Sequence, residues 1–527
     1  MNLAIVLLLV MAPFGAPETP SAPPQQLFEH SQVAPEDTLF YLHISDVETL
    51  RGQLENLPIA DWAGQFLQAG QVIHAWGNIA NLAGVDAQRL MDMFIGDSLT
   101  FMIQGAGSDL EWVLMTPMTD ERAGDLFRKL KVKIYSSKKK GLTSCILPEH
   151  RLMLIHSNQG MLFICPQKKM GLFTDVHRRI ESPEKYQTLH DESVGEAIAK
   201  LAPGQAGVYI RHEEPLGGWS VASLDFQGTQ LRIQHRARFG RDAFSRPITQ
   251  KTIDPSVIQN FKDHALVATI EPTDTGDGMV ELFLQQMLGN LSLIGEDIRK
   301  NLGDKRVMVL GDVEGRLQDQ EVDMLLPTGA ICLEVKNAEI AEKQLDEHLI
   351  KLSKKLNKMG RDLDGFCVEV PNRRQFIPGE SRTVDLDSFT DWVGNGFPLL
   401  TNVDLCWVTV ESEYGTYLVV ATHEAALKES EKALCRAPVA TIAKGKWASC
   451  GVANGLRLGQ NIDSLIDHAE LLALDGKSEE LKSTLKLIAS FAYGIENLTW
   501  KLKRPGKNEM VLEVDIELAP PISAQDE

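Results

Sequence analysis

Two stretches of the chain alternate apolar and polar residues with a period of two, the signature of a strand with one face on a core and one toward solvent. Over Gln230 to Phe239, Leu231, Ile233, Ala237 and Phe239 take inward positions and Arg232, Gln234, Arg236 and Arg238 outward ones. Over Met510 to Leu518, Met510, Leu512, Val514, Ile516 and Leu518 point in, and Glu513, Asp515 and Glu517 point out. Each stretch is the second arm of an expected hairpin. The first follows Ser220 to Phe226 across a turn at Gly228; the second follows Asn497 to Lys503 across a turn at Pro505 and Gly506. The outward rows carry opposite charge, which leaves two readings: two solvated faces, or two complementary faces that meet within or between chains.

This likeness extends along the chain as an internal duplication. At an offset of 255 residues, Ser157 and Ser412, Gly160 and Gly415, and Leu172 and Leu427 are identical, inside a shared pattern of apolar run, polar turn, apolar run and helix. Thr38 to Ile44 matches His264 to Ile270, and Leu99 to Ile103 matches Arg306 to Leu310. Trp112 to Met115 followed by Thr119 matches Ala330 to Val335 followed by Asn337, each a strand, a cap residue and a helix, to about Lys131 and Lys358. Ser45 to Glu48 is a predicted capping box, and Thr422 a predicted N-cap for a helix to about Leu434.

The expected fold class is α+β, with two tandem related halves of mostly antiparallel sheet and packed helices. The expected layout is 1–16 a signal peptide, 17–27 a Pro-rich spacer, 28–240 the first repeat and 241–256 a linker. The second repeat follows over 257–520, enlarged by an insertion at 371–398, and 521–527 is a disordered tail.

Composition narrows the class. A chain of 527 residues exceeds one core, since domains stop growing near ~100–200 residues. Hydrophobic residues at 43% and charged residues at 24% exclude a wholly disordered chain, a collagen-like fibre and a polytopic membrane protein. The net charge of −19 repels nucleic-acid phosphates and anionic lipid from the chain as a whole. Leu3 to Ala12 is apolar, but as a helix it rises only about 15 Å against the ~30 Å of a bilayer core. It reads as the apolar stretch of a signal peptide, with Gly15 and Ala16 near the cut and without the usual basic start. Seven cysteines without any Cys-x-x-Cys pair exclude a disulfide scaffold and a zinc ribbon, and most sit in apolar runs as small hydrophobes. A Cys145–Cys165 disulfide remains open if their strands are neighbours.

Val33 to Trp62 carries Pro35, Asp37, Thr38, the strand Leu39 to Leu42, Asp46, Leu50, Leu54 and Pro58. In this it resembles the opening of a family of uncharacterised exported bacterial proteins common in planctomycetes and cyanobacteria. The closing hairpin is similar too. The resemblance implies an extracytoplasmic protein and brings no catalytic residues.

Candidate chemistry is sparse. Gly218-Trp219-Ser220-Val221-Ala222 falls one residue short of a nucleophile elbow and reads as strand, where an elbow needs strand, turn and helix. His423-Glu424 opens like a zinc-protease helix, but Leu427 stands where the second imidazole belongs. Leu471 to Ser478 ends in Gly-Lys-Ser without the first glycine of a phosphate loop. Asp274 to Gly278 and Asp362 to Gly365 lack calcium-loop spacing. Arg128 to Lys140, which Lys168 and Lys169 would extend if they lie beside it, is the one basic patch: a soluble sheet edge, or a contact for an anionic partner. The methionines of the first half, Met91 to Met170, read as core or as an adaptable apolar lining. No catalytic, cofactor or metal residue is assigned. The expectation is a non-enzymatic binding or scaffold protein of the envelope or periplasm, with an apolar or anionic envelope ligand, no nucleic acid and no membrane span. The alternative is a hydrolase whose site, with Ser220, a His and a carboxylate as its candidates, assembles between the halves.

Overall fold

The computed structural model describes residues 21–54, 94, 96–105, 109–130, 132–137, 141–147, 152–182, 185–190, 192–212, 217–240, 258, 260–261, 264–269, 300–311, 329–362, 380–384, 405–436, 447–467 and 478–520. The signal-peptide stretch, the linker, most of 371–398 and the glycine motifs at 274, 365 and 476 lie outside them. The chain divides into two compact units, Met1–Phe244 with Pro505–Glu527, and Ser245–Arg504.

The first unit runs β1 (Thr38–Ile44), α1 (Val47–Leu54), β2 (Leu99–Gln104), β3 (Glu111–Pro117), α2 (Asp120–Lys129), β4 (Ile134–Ser137), β5 (Leu142–Leu147), β6 (Leu152–Ser157) and β7 (Met161–Pro166). It continues with α3 (Gly171–Glu181), α4 (Glu192–Ile198), β8 (Ala206–Arg211), β9 (Trp219–Gln227) and β10 (Gln230–Arg238). All its pairings are antiparallel, in the order β4-β5-β6-β7-β3-β2-β1-β8-β9-β10. Helices cover both faces. Val113 and Met115 of β3 join Phe163, Phe173, Val176 and Ile198 under α3 and α4. Trp112 and Leu114, on the alternate positions, join Leu126 and Phe127 of α2. Strands buried on both sides read as near-continuous apolar runs, which is why β2 and β7 show no alternation. Each fully buried large apolar side chain contributes about 1.5–3 kcal/mol.

The second unit runs β11 (Leu266–Thr269), β12 (Leu302–Leu310), β13 (Gly329–Val335), α5 (Ala338–Asp362), β14 (Arg382–Val384), β15 (Leu405–Ser412) and β16 (Gly415–Ala421). α6 (Glu424–Leu434), β17 (Ser449–Asn454), α7 (Gly455–Asp467), α8 (Ser478–Tyr493) and β18 (Ile495–Gly506) follow. Its strands, again antiparallel, run β14-β15-β16-β13-β12-β11-β17-β18. Val408, Tyr417, Val419, Leu427 and Leu434 anchor its core. The protein is thus α+β with mostly antiparallel sheet. The order β5-β6-β7-β3-β2-β1-β8-β9 of the first unit and the order of the second correspond strand for strand. They differ in their helices: α7 and α8 fill the link from β17 to β18, where the first unit has only the short link from Arg211 to Trp219. Part of the second half's extra length therefore lies here as well as near 371–398.

The last strand, β19 (Glu509–Leu518), belongs to the first unit. It pairs antiparallel with β10 from Gln230↔Glu517 to Arg238↔Glu509. The chain leaves the second unit at Arg504, although the sequence carried the second repeat on to 520. Pro505 and Gly506 complete β18, and the turn falls on Lys507 and Asn508. Gly160 and Gly415, matched in the sequence, both take positive φ, 74° and 131°, where a side chain is strained.

Two expected caps move by one residue. Asp46, not Ser45, caps α1: its carboxylate accepts from the Thr49 amide at 2.9 Å and the Thr49 hydroxyl at 2.8 Å, while Ser45 donates to the Gln205 carbonyl. His423 Nδ1 accepts from the Ala425 amide, and the Thr422 hydroxyl instead bridges to the backbone of Gly329. Thr119 and Asn337 cap α2 and α5 as predicted. Cys145 and Cys165 are free and buried, because β6 separates β5 from β7. Burial pushes both thiols up to about 12.

Candidate functional site

In a sheet, residues opposite one another in register share a face. Val221 of β9 stands opposite Arg236 of β10, and Arg236 opposite Val511 of β19; Trp219 likewise stands opposite Arg238, and Arg238 opposite Glu509. Val221 is fully buried with Val194, Ala197 and Ile198 of α4. The Arg row that alternation placed toward solvent therefore lies on the face that α4 covers. The chain beyond α4 ties to the same row, where the Ala202 amide donates to the Gln234 side chain.

Between α4, β9, β10 and β19, wholly within the first unit, lies a cavity of about 90 Å³. Its wall holds three cations, Lys200, Arg236 and Arg238, two carboxylates, Glu196 and Glu509, and the indole of Trp219. Among the described residues none of the three cations makes an ion pair within 4 Å, and the buried Nε of Arg236 makes no hydrogen bond. Burial lowers the pKa of Arg236 against the opposing pull of Glu513 and Glu509. A half-buried guanidinium whose Nε donor is buried without a hydrogen bond carries a desolvation cost that an anion would relieve. At ~10–15 Å³ per water, the space holds several waters or one small polar group.

Only part of this was readable beforehand. Counting back from the two-residue turn at Gly228 places Trp219 opposite Arg238. Lys200 and Glu196 carried no signal, since α4 is short and its contact with β9 is non-local.

Two further polar clusters are buried. In the first unit, His30 Nδ1 and His43 Nδ1 each lie 2.8 Å from the Thr100 hydroxyl, with their rings 5.3 Å apart. In the second, Arg382 of β14 lies 3.6 Å from Glu342 and 3.7 Å from Asp346, one turn apart on α5; Trp407 Nε1 donates to Asp346 at 3.3 Å and Thr409 donates to Glu342. Burial raises the pKa of Asp346 against the pull of Arg382 and Trp407.

Ser220 sits within β9, opposite Ile210 and Ala237, and among the described residues its hydroxyl bonds no imidazole or carboxylate. His235, on the facing strand, is held down to about 4 by burial and by His212. In the basic stretch, Arg128 pairs with Asp125, Lys133 lies over the Tyr135 ring, and Lys138 to Lys140 lie outside the described residues. Met102, Met115 and Met118 are core; Met91 and Met93 lie outside the described residues. Among the described residues no group of three His, Cys, Asp or Glu has metal-site geometry, and no helix is long and apolar enough to cross a membrane.

No family model and no curated protein matches the chain. Among solved structures, the one titled "Structure of crystal form I of TP0453" is similar over 40% of this chain and 78% of its own, at 10% identity and a TM-score of 0.22. So weak a likeness says nothing of function.

Proposed function

We propose that the protein is a non-enzymatic binding or scaffold protein acting outside the cytoplasmic membrane, built from two copies of one α+β plan. The observation that carries the binding role is the cavity under α4, a concave site where three cations and an indole converge. The corresponding strand orders support the duplication, together with the identical Gly160 and Gly415 at matching turns. The Leu3 to Ala12 run and the resemblance to exported bacterial proteins support export. The binding role is tested by native mass spectrometry of the full chain, which should retain a small molecule that is lost when Trp219 is replaced by Ala. Time-dependent cleavage of ester, amide or glycoside probes by the same preparation would favour the hydrolase instead. Export is tested by placing Met1 to Ala16 before a reporter and assaying the periplasm.

A further inference from the structure

Resting on that binding reading, we propose that the cavity under α4 is an oxyanion site, taking the carboxylate or phosphate group of a small ligand whose apolar body lies against Trp219. The charges in the wall argue for an anion. Lys200, Arg236 and Arg238 outnumber Glu196 and Glu509 by one, so a single negative charge neutralises the site. Distribution argues the same way, because among the described residues none of the three cations has a contact ion pair, although carboxylates stand on neighbouring positions. Arg236 in particular keeps a buried Nε with its donor unused. A planar guanidinium presents paired donors that match a carboxylate or phosphate two by two, which a lone ammonium does not. Trp219, half-buried at the end of β9, with Met510 and Pro505, supplies the apolar part of the wall. The volume admits the anionic group and leaves a larger body to extend from the mouth.

Titration calorimetry on the full chain tests this with three probes: inorganic phosphate, acetate and benzoate, at about 0.05 M and about 0.3 M salt. At least one is expected to bind one-to-one and to persist at the higher salt. Arg236→Gln and Arg238→Gln are expected to weaken it about tenfold or more. Lys133→Gln, in the basic stretch away from the cavity, should leave it unchanged, and Trp219→Ala should weaken benzoate more than acetate. Arg238 is exposed, so its variant keeps the test valid if Arg236→Gln lowers the melting temperature. Absence of binding by all three probes overturns the assignment, as does wild-type affinity in both Arg variants or equal loss in Lys133→Gln. If the probes fail while native mass spectrometry finds a neutral ligand, the oxyanion assignment falls and the binding reading stands. If a bound ester is turned over, the binding-only reading falls and the oxyanion site stands.

Discussion

The Thr100 hydroxyl faces two imidazoles but has one proton to donate, so at least one of His30 and His43 must itself present an N–H. Burial disfavours the charged form of both imidazoles. Burial and the neighbouring His30 hold His43 down to about 3, and burial holds His30 below its ordinary value against the pull of Glu29. His190 reaches the same region through Ser31. The unfolded chain takes up protons near pH 6.5, whereas the folded chain resists until far lower. Stability from this pair is thus complete above about pH 6.5 and is lost as pH falls toward 3, by up to about 1.4 kcal/mol per pH unit from His43. Denaturant melts across that range should show the slope, and His43→Asn should flatten it. In the second unit, Arg382→Met should cost about 3–5 kcal/mol, because Glu342 and Asp346 would stay buried without their cation. Replacing Glu342 and Asp346 with Gln and Leu in the same chain should recover much of that loss, as read in thermal melts. At this scale the sequence was legible to within a residue. Side-chain oxygens stood at the helix starts, but whether Ser45 or Asp46 caps depends on the Gln205 carbonyl that captures Ser45, and Thr422 is diverted in the same way by Gly329.

At the scale of elements, the alternation of β10 and β19 correctly announced two strands, and their opposite charges now have a geometric meaning. They lie side by side in one sheet, with Arg232 opposite Asp515 and Arg238 opposite Glu509. The Arg232–Asp515 pair at 3.6 Å is more than half exposed on both sides and is screened. Arg232→Glu should cost about 1 kcal/mol or less, and the exchange Arg232→Glu with Asp515→Arg should restore most of it. Chemical denaturation of the single and double variants measures the coupling. What alternation alone could not show is which side of β10 meets solvent. Leu231, Ala237 and Phe239 are buried as read, yet Gln234 and Arg236 of the outward row are also partly covered on the face that α4 packs against, while Arg232 and Arg238 stay exposed. That contact joins residues far apart in the chain, and a local period carries no trace of it.

At the scale of the molecule, the two units share an order of strands, with helices after β3 and β13 and after β7 and β16, but α7 and α8 of the second unit have no counterpart between β8 and β9. The sequence likeness rests on positions where turns and strand ends constrain residue type, as at Gly160 and Gly415, which both take positive φ. The helical pair α7 and α8 was missed as a difference between the halves, since Gly459 packs against the Tyr493 ring in a contact made only inside that pair. β19 joins the first unit although the whole second unit precedes it in the chain. Ending the chain at Arg504 should leave the β10 edge unpaired, lower the melting temperature of the first unit and promote association, read by calorimetry and light scattering. A peptide of residues 505–520 added in trans should reverse both effects. The same feature sets a timetable for biosynthesis. Most of the first unit is made before the second, but its β10 edge stays unpaired until Glu509–Leu518 emerge, so the ribosome delivers it with an open edge throughout synthesis of the second. A holding chaperone would have its target on β10 for that interval, and the arrival of β19 would serve as the signal that releases it.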